Sequence, residues 1–201
     1  MSFDLQALVK KTLSSPKDAA DQLIALRRGV SSEALWSAVV LAAVLNTLVI
    51  SLGMQLLPPS PEQVALMPRV FFRPGLLAIF AAGAIVLMVF VLHWAGRMMG
   101  GKGDLRDMLA VVTWLQIIQV GLQLVVLIVG VLAVQLASFV NMVAFIWGVW
   151  ILISFVDRVH GFESVMKSLA VLVTGIVLLL VGLTVFVFLL GIVTQGAAGY
   201  V

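Results

Sequence analysis

Residues 108–156 read MLAVVTWLQIIQVGLQLVVLIVGVLAVQLASFVNMVAFIWGVWILISFV and contain no charged side chain. One continuous helix of this length would extend for about 74 Å, more than twice the ~30 Å hydrocarbon core of a bilayer. The stretch is therefore too long for a single membrane crossing. It predicts a tight hairpin of two membrane helices.

Three more apolar segments flank this hairpin, and each has about the ~20 residues that a membrane-spanning helix needs. A chain of 201 residues that is 63% hydrophobic and only 10% charged lies outside the range of soluble domains. The sequence predicts an all-α polytopic bundle, with residues 31–195 forming five transmembrane helices, residues 1–30 a leader and residues 196–201 a short external tail. The predicted spans are 34–57, 75–96, 108–134, 136–156 and 168–193.

Positive charge lies almost wholly on one side of these spans. Ten of the twelve Lys and Arg residues belong to the leader and to the second and fourth loops, and only Arg69 and Arg73 fall on the other side. By the positive-inside rule, the N-terminus and both basic loops are cytoplasmic and the C-terminus is external. A net charge of +3 spread over several segments gives no nucleic-acid patch, so the expected partner of these residues is the lipid bilayer.

The leader is predicted to form two short amphipathic helices in the membrane interface. Leu5, Leu8 and Leu13 recur at near-helical spacing, with Lys10 beside them. Pro16 then fits the first position of a second helix. We expect these helices to lie on the cytoplasmic membrane surface.

The third span carries a row of polar side chains at spacings that place them on one helical face. Amides face lipid only at a cost, so this face is predicted to point into the bundle. Two interpretations stay open, a polar passage or substrate surface and interhelical hydrogen bonds that hold the bundle or an oligomer together. The residues of this predicted face are Thr113, Gln116, Gln119 and Gln123, with Asn46 and Asn141 as candidate partners.

No catalytic, metal-binding or cofactor-binding constellation is found in the sequence. The chain has no cysteine, which excludes thiolate chemistry and disulfides. The glycine-rich segment at Gly100–Gly103 matches neither phosphate-loop pattern, and no HExxH or GxSG motif occurs. His93 is the one ionisable side chain within the spans, which argues against ion-coupled transport. We therefore expect no catalytic residue, no metal and no cofactor.

The two basic loops between the spans are predicted to be solvated turns that a cytoplasmic partner would meet. One follows the second span and is rich in glycine, and the other follows the fourth span and contains a histidine before Gly161. The candidate interaction residues are Arg97, Lys102 and Arg106 in the first loop and Asp157, Arg158 and His160 in the second.

Three short segments resemble bacterial members of the Yip family, named for proteins that interact with Rab-type GTPases. They are Ser15–Leu23 (SPKDAADQL), Gly100–Thr113 (GGKGDLRDMLAVVT), and His160-Gly161 with Lys167–Val171 (KSLAV). The resemblance implies a five-pass bundle with a cytoplasmic N-terminus, in a bacterial cytoplasmic membrane. Eukaryotic members act in membrane traffic, Rab recruitment and hetero-oligomer formation, but their acidic and Tyr/Gly-rich motifs have no match here.

The resulting functional hypothesis is a non-enzymatic membrane interaction or organising protein that binds other membrane proteins or itself. One alternative is a small transporter or lipid-handling protein with a polar track along the third span. Another is an accessory subunit of a larger membrane complex.

Overall fold

A computed structural model describes residues 4–198 of the chain, together with the side chains of this range except those of residues 190 and 192–198. Every regular element in the described range is helical, and five helices are long and apolar enough to cross a membrane. The prediction of an all-α, five-span membrane bundle with two short N-terminal helices is therefore confirmed.

Each predicted span coincides with one long helix, and the ends differ by one to five residues. Eight of the ten ends lie outside the predicted bounds, whereas the helices of the first and third spans end one and two residues before them. The predicted tail, 196–201, begins inside the last helix, and residues 199–201 lie outside the described residues. The helices are α1 (Leu5–Ser14), α2 (Pro16–Leu26), α3 (Ser32–Leu56), α4 (Pro61–Leu66), α5 (Pro74–Met98), α6 (Leu105–Leu132), α7 (Val134–His160) and α8 (Val165–Ala198).

The five long helices form a closed ring of neighbours. Helix α3 packs between α5 and α6, α6 packs against α7, α7 against α8, and α8 returns to α5. Only 17–28% of the most apolar part of each helix is buried within the chain. Most of the surface of these helices must therefore be covered by lipid or by other proteins.

Helices α1 and α2, with the 3-10 turn at Arg27–Gly29, are called the leader below, and the end of the bundle that they cover is called the leader end. Helix α2 packs mainly against α7 and also against α6, while α1 packs against α2. Leu8, Ala19 and Ala20 are fully buried in the same core as the membrane helices. Part of the apolar face of the leader thus packs against the bundle, while Leu5 and Leu13 of the same face remain exposed.

Local sequence sets the ends of the helices near this region. The Ser31 hydroxyl accepts a hydrogen bond from the backbone N–H of Ala34 (3.2 Å) and caps α3. Helix α2 begins at Pro16 as predicted, although the Ser15 hydroxyl makes no capping bond. Helix α7 ends at Gly161, whose φ of 65° lies in the left-handed region that glycine adopts without strain.

Candidate functional site at the leader end of the bundle

Asp157 joins three helices at the leader end. Its carboxylate lies in the last turn of α7 and is only 2% exposed. One oxygen pairs with Lys17 Nζ of the leader at 2.7 Å. The other accepts hydrogen bonds from the Ser164 backbone N–H (3.0 Å) and the Ser168 hydroxyl (3.1 Å) at the start of α8. Asp157 therefore ties α2, α7 and α8 together.

His160 occupies a socket formed by Gly96, Gly101 and Gly103, called the glycine socket below. A Cβ atom at Gly96 would overlap the imidazole of His160, and one at Gly101 would lie 2.6 Å from the ring carbon Cδ2. Phe162 stacks on the imidazole, with ring centroids 5.3 Å apart and planes at 11°. The His160 carbonyl also accepts a hydrogen bond from the Lys102 N–H (3.1 Å). These glycines allow the loop between α5 and α6 to close onto the end of α7.

Ion pairs connect the leader to the membrane helices. Within residues 4–198, all four ion pairs have one partner in the leader and the other at the leader end of the long helices. Two of them share Arg27, which pairs with Asp107 and, at 3.6 Å, with Asp104. Arg158 forms a two-pronged contact with Asp21, in which Nε donates to Oδ1 at 2.9 Å. The leader is thus fixed at both α6 and α7.

Two tryptophans of the long helices hold the leader by hydrogen bonds. Trp114 Nε1 of α6 donates to the Thr12 hydroxyl at 2.8 Å, and both side chains are buried. Trp147 Nε1 of α7 donates to the Leu13 carbonyl at 3.1 Å. Trp147 precedes Asp157 by ten residues, about 15 Å along a helix. The leader therefore lies along the sides of α6 and α7 and does not merely cover their ends.

Removal of the Thr12 hydroxyl should loosen the leader selectively. We expect Thr12→Val to cost about 1–2 kcal/mol, because it leaves the buried Trp114 N–H without an acceptor. Hydrogen exchange at the α1 amides measures the effect, which should be a faster exchange there than in α5. Thr184→Val is the matched control, because Thr184 is exposed and bonds only to the Leu180 carbonyl of its own helix. Equal effects of the two variants would contradict the assigned role of Thr12.

The predicted loop residues divide into two groups. Arg97, Lys102, Arg106 and Arg158 are exposed at the leader end, as expected for a partner-binding surface. Asp157 and His160 are each only 2% exposed, so the prediction that they belong to a solvated turn is wrong. They are buried because the leader and the glycine-rich loop pack over the end of α7.

The predicted polar face of α6 is only partly buried. Thr113 and Gln116 are buried, and the Thr113 hydroxyl donates to the Leu109 carbonyl of its own helix (2.7 Å). Gln119 is exposed, which contradicts the expectation that the whole face points inward. Asn46 on α3 is half-buried. Gln123 and Asn141 line one groove near the opposite end of the bundle. The six residues therefore do not form one continuous track.

Sequence reasoning missed the residues that hold the leader, namely Thr12, Lys17, Asp21, Trp114 and Trp147. One available signal was the indole N–H of each tryptophan, which needs an acceptor when it is placed among apolar helices. The acceptors lie more than a hundred residues away in the chain, so the sequence alone does not identify them.

The chemistry of this region is that of a packed junction. Among the residues that the structure describes, no group of three or more His, Cys, Asp or Glu side chains could hold a metal ion. His93 and His160 approach each other with ring centroids 6.5 Å apart. The buried and paired side chains of this region hold the leader, the loops and the long helices together. The exposed basic side chains are the groups that another molecule could contact.

A sequence model of the Yip1 domain matches residues 10–189, about nine-tenths of the chain. The chain belongs to the Yip1 family. No curated protein and no solved structure shows significant similarity to it.

The Yip1 match covers the features described above. It begins in α1, before Thr12 and Lys17, and it includes the glycine socket and Asp157. The docked leader from residue 10 onward is therefore part of the Yip1 domain of this chain. The resemblance to the Yip family is confirmed at the level of the family.

Proposed function

We propose that this Yip1-family chain is a non-enzymatic interaction protein of a bacterial cytoplasmic membrane, with its leader end in the cytoplasm. The observation that carries the proposal is that all four described ion pairs fix the leader to the membrane helices. Docking turns a short N-terminal segment and two loops into one preassembled surface. A rigid surface loses little conformational entropy on binding, which favours recognition.

The exposed basic side chains of this surface supply its binding groups. Five Lys and Arg residues at the leader end are exposed and form no ion pair or side-chain hydrogen bond within residues 4–198. They come from both the leader and the loops, so a partner would meet them together. The partner chemistry that fits is an acidic segment of another membrane protein. These residues are Lys10, Arg28, Arg97, Lys102 and Lys167.

Co-purification from native membranes in mild detergent tests this function. The wild-type chain should retain one or a few proteins at constant stoichiometry. The double variant Arg28→Gln/Lys102→Gln should recover about tenfold less partner than the wild-type chain, because it removes two exposed charges and no buried contact. Arg69→Gln/Arg73→Gln is the matched control, since it removes two exposed charges from the opposite end. Recovery of a monomer without any partner would contradict the proposal, as would equal loss in both variants.

The absence of cysteine gives an orientation control for the same preparations. A single cysteine at Ser60 should react with an impermeant thiol reagent from outside the cell. A single cysteine at Lys102 should react only after the membrane is opened. The reverse pattern would place the leader end outside and overturn the cytoplasmic assignment.

The transport alternative has less support, because it needs a continuous polar passage. Gln119 is exposed while Gln116 is buried, so the amides of α6 do not line one channel. An accessory-subunit role is a special case of the proposed function. In that case the co-purification experiment would recover one permanent partner.

A further inference from the structure

A membrane-facing groove lies near the end of the bundle opposite the leader. Its volume is about 380 Å³, and it is lined by residues of α3, α6 and α7 that are mostly apolar. Gln123 of α6 and Asn141 of α7 supply its two side-chain amides. The groove is open on the side that faces away from the bundle, so a second molecule in the membrane can enter it.

The amides in this groove lack partners of their own. The side-chain oxygen of Gln123 is buried and has no hydrogen-bond partner among residues 4–198. Asn141 is exposed, and its side chain makes no hydrogen bond within the described range. In hydrocarbon no water compensates an unpaired amide group, so each costs about 1–3 kcal/mol until a partner bonds to it. Asn141 is open to such a partner, whereas the buried oxygen of Gln123 becomes available when its side chain turns toward the groove.

The depth of the two amides restricts what can cover them. Gln123 precedes the end of α6 by nine residues, about 13 Å, and Asn141 follows the start of α7 by seven residues, about 10 Å. Lipid acyl chains reach this depth but offer no hydrogen-bond donor. Lipid headgroups offer donors but remain at the interface. The occupant must therefore bring a polar side chain to this depth, as a membrane helix can.

We propose that the occupant is a second copy of this chain, bound through α7 in a two-fold symmetric dimer. A two-fold axis along the membrane normal keeps each residue at its own depth in both copies. It therefore brings Asn141 of one copy to the level of Gln123 and Asn141 of the other. An amide is both donor and acceptor, so asparagine satisfies either group of a facing amide.

The exposed face of α7 fits this arrangement. Ser138, Asn141 and Phe145 follow each other at spacings of three and four residues, which places them on one stripe. Phe145 is 71% exposed, although it lies in the middle of the helix. Pairing of α7 with the groove of a second copy would cover this ring and the amides together.

Disulfide cross-linking in native membranes tests the dimer, since the chain has no cysteine of its own. The single variants Ser138→Cys and Phe145→Cys lie on this stripe on either side of Asn141 and leave its amide in place, so each should give a covalent dimer on mild oxidation. Val185→Cys is the control. Val185 is 52% exposed on α8 and lies 20 residues from the leader end of its helix, whereas Asn141 lies 19 residues from the leader end of α7. Val185 should give little dimer, because it shares the depth but not the groove.

The role of the amide is tested with the same assay. Addition of Asn141→Leu to the Ser138→Cys variant should lower the dimer yield about fivefold or more, because the interhelical hydrogen bonds are lost. Equal cross-linking at Val185 would indicate random collision and overturn the proposal. Monomers in both α7 variants, or a cross-link to a different protein, would also overturn it.

This dimer rests on the proposed function, because it names one partner of an interaction protein. The two can still fail separately. Cross-linking detects only a contact at the groove in the membrane. Co-purification with the Arg28 and Lys102 variants measures only binding to the surface at the leader end.

Discussion

Replacement of Gly96 by alanine is expected to destabilise the protein by about 1–3 kcal/mol. The new Cβ would overlap the imidazole of His160, which cannot retreat because Gly101 and Phe162 enclose it. The cost arises even though alanine favours a helix over glycine by up to about 1 kcal/mol. The free energy of unfolding in mixed detergent and lipid micelles is the quantity to measure.

Gly148→Ala is the matched control for this substitution. Gly148 also lies inside a long helix, but a Cβ there would meet no atom within 4 Å. We expect this control to be neutral or stabilising by up to about 1 kcal/mol, so the two variants should differ by about 1–4 kcal/mol. The double variant Gly96→Ala/His160→Ala should cost less than the sum of its single variants. Additive costs would show that His160 does not fill the glycine socket.

Replacement of Asp157 by alanine is expected to cost about 2–4 kcal/mol and to release the leader. The buried carboxylate accepts hydrogen bonds from Ser164 and Ser168 and pairs with Lys17, and alanine replaces none of these contacts. A donor left unpaired in a buried site costs about 1–3 kcal/mol. Lys17 adds less, because its side chain is 48% exposed and water can solvate its charge. Unfolding measurements and trypsin cleavage at Lys10 and Lys11 report the two effects.

Arg158→Ala is the matched control, because it removes a leader ion pair at the next residue in the chain. The partners, Arg158 and Asp21, are 41% and 46% exposed. Exposed pairs contribute at most about 1 kcal/mol, so this variant should unfold nearly as the wild-type protein does. If Arg158→Ala proved as costly as Asp157→Ala, charge pairing and not the buried hydrogen bonds of Asp157 would hold the leader.

The five-span bundle could be predicted because its signal is local. Apolar length and the absence of charge between Asp107 and Asp157 decide where helices cross the membrane, and neither requires knowledge of distant contacts. The sequence predicts the ends of the helices less accurately than their positions. Caps such as Ser31 and turns such as Gly161 continue a helix beyond its apolar residues.

The docking of the leader could not be predicted, because its contacts join residues far apart in the chain. Trp114 and Thr12 are 102 residues apart, and Arg158 and Asp21 are 137 apart. Amphipathic spacing shows that one face of α1 must be covered but does not distinguish lipid from protein. The glycines of the loop after α5 likewise predict only a turn, since nothing in their own segment indicates the imidazole of His160.

The helical spacing of the α6 amides predicted a shared face but not its surroundings. Thr113 and Gln116 are buried where the leader end is well packed, whereas Gln119 lies where the helix is open. Periodicity identifies the residues that lie on the same side of a helix. Whether a neighbour covers that side depends on how the five helices pack.

The position of the leader in the chain has a consequence for biosynthesis. Lys17 is made 140 residues before Asp157, its partner in the folded protein. At about 5–20 residues per second, the ribosome needs roughly 7–30 s to complete that interval. During this time the apolar side chains of α1 and α2 have no α7 to pack against. The leader is therefore made well before the helices that hold it, and until the fourth span is inserted its apolar side chains must be covered by the membrane or by a chaperone.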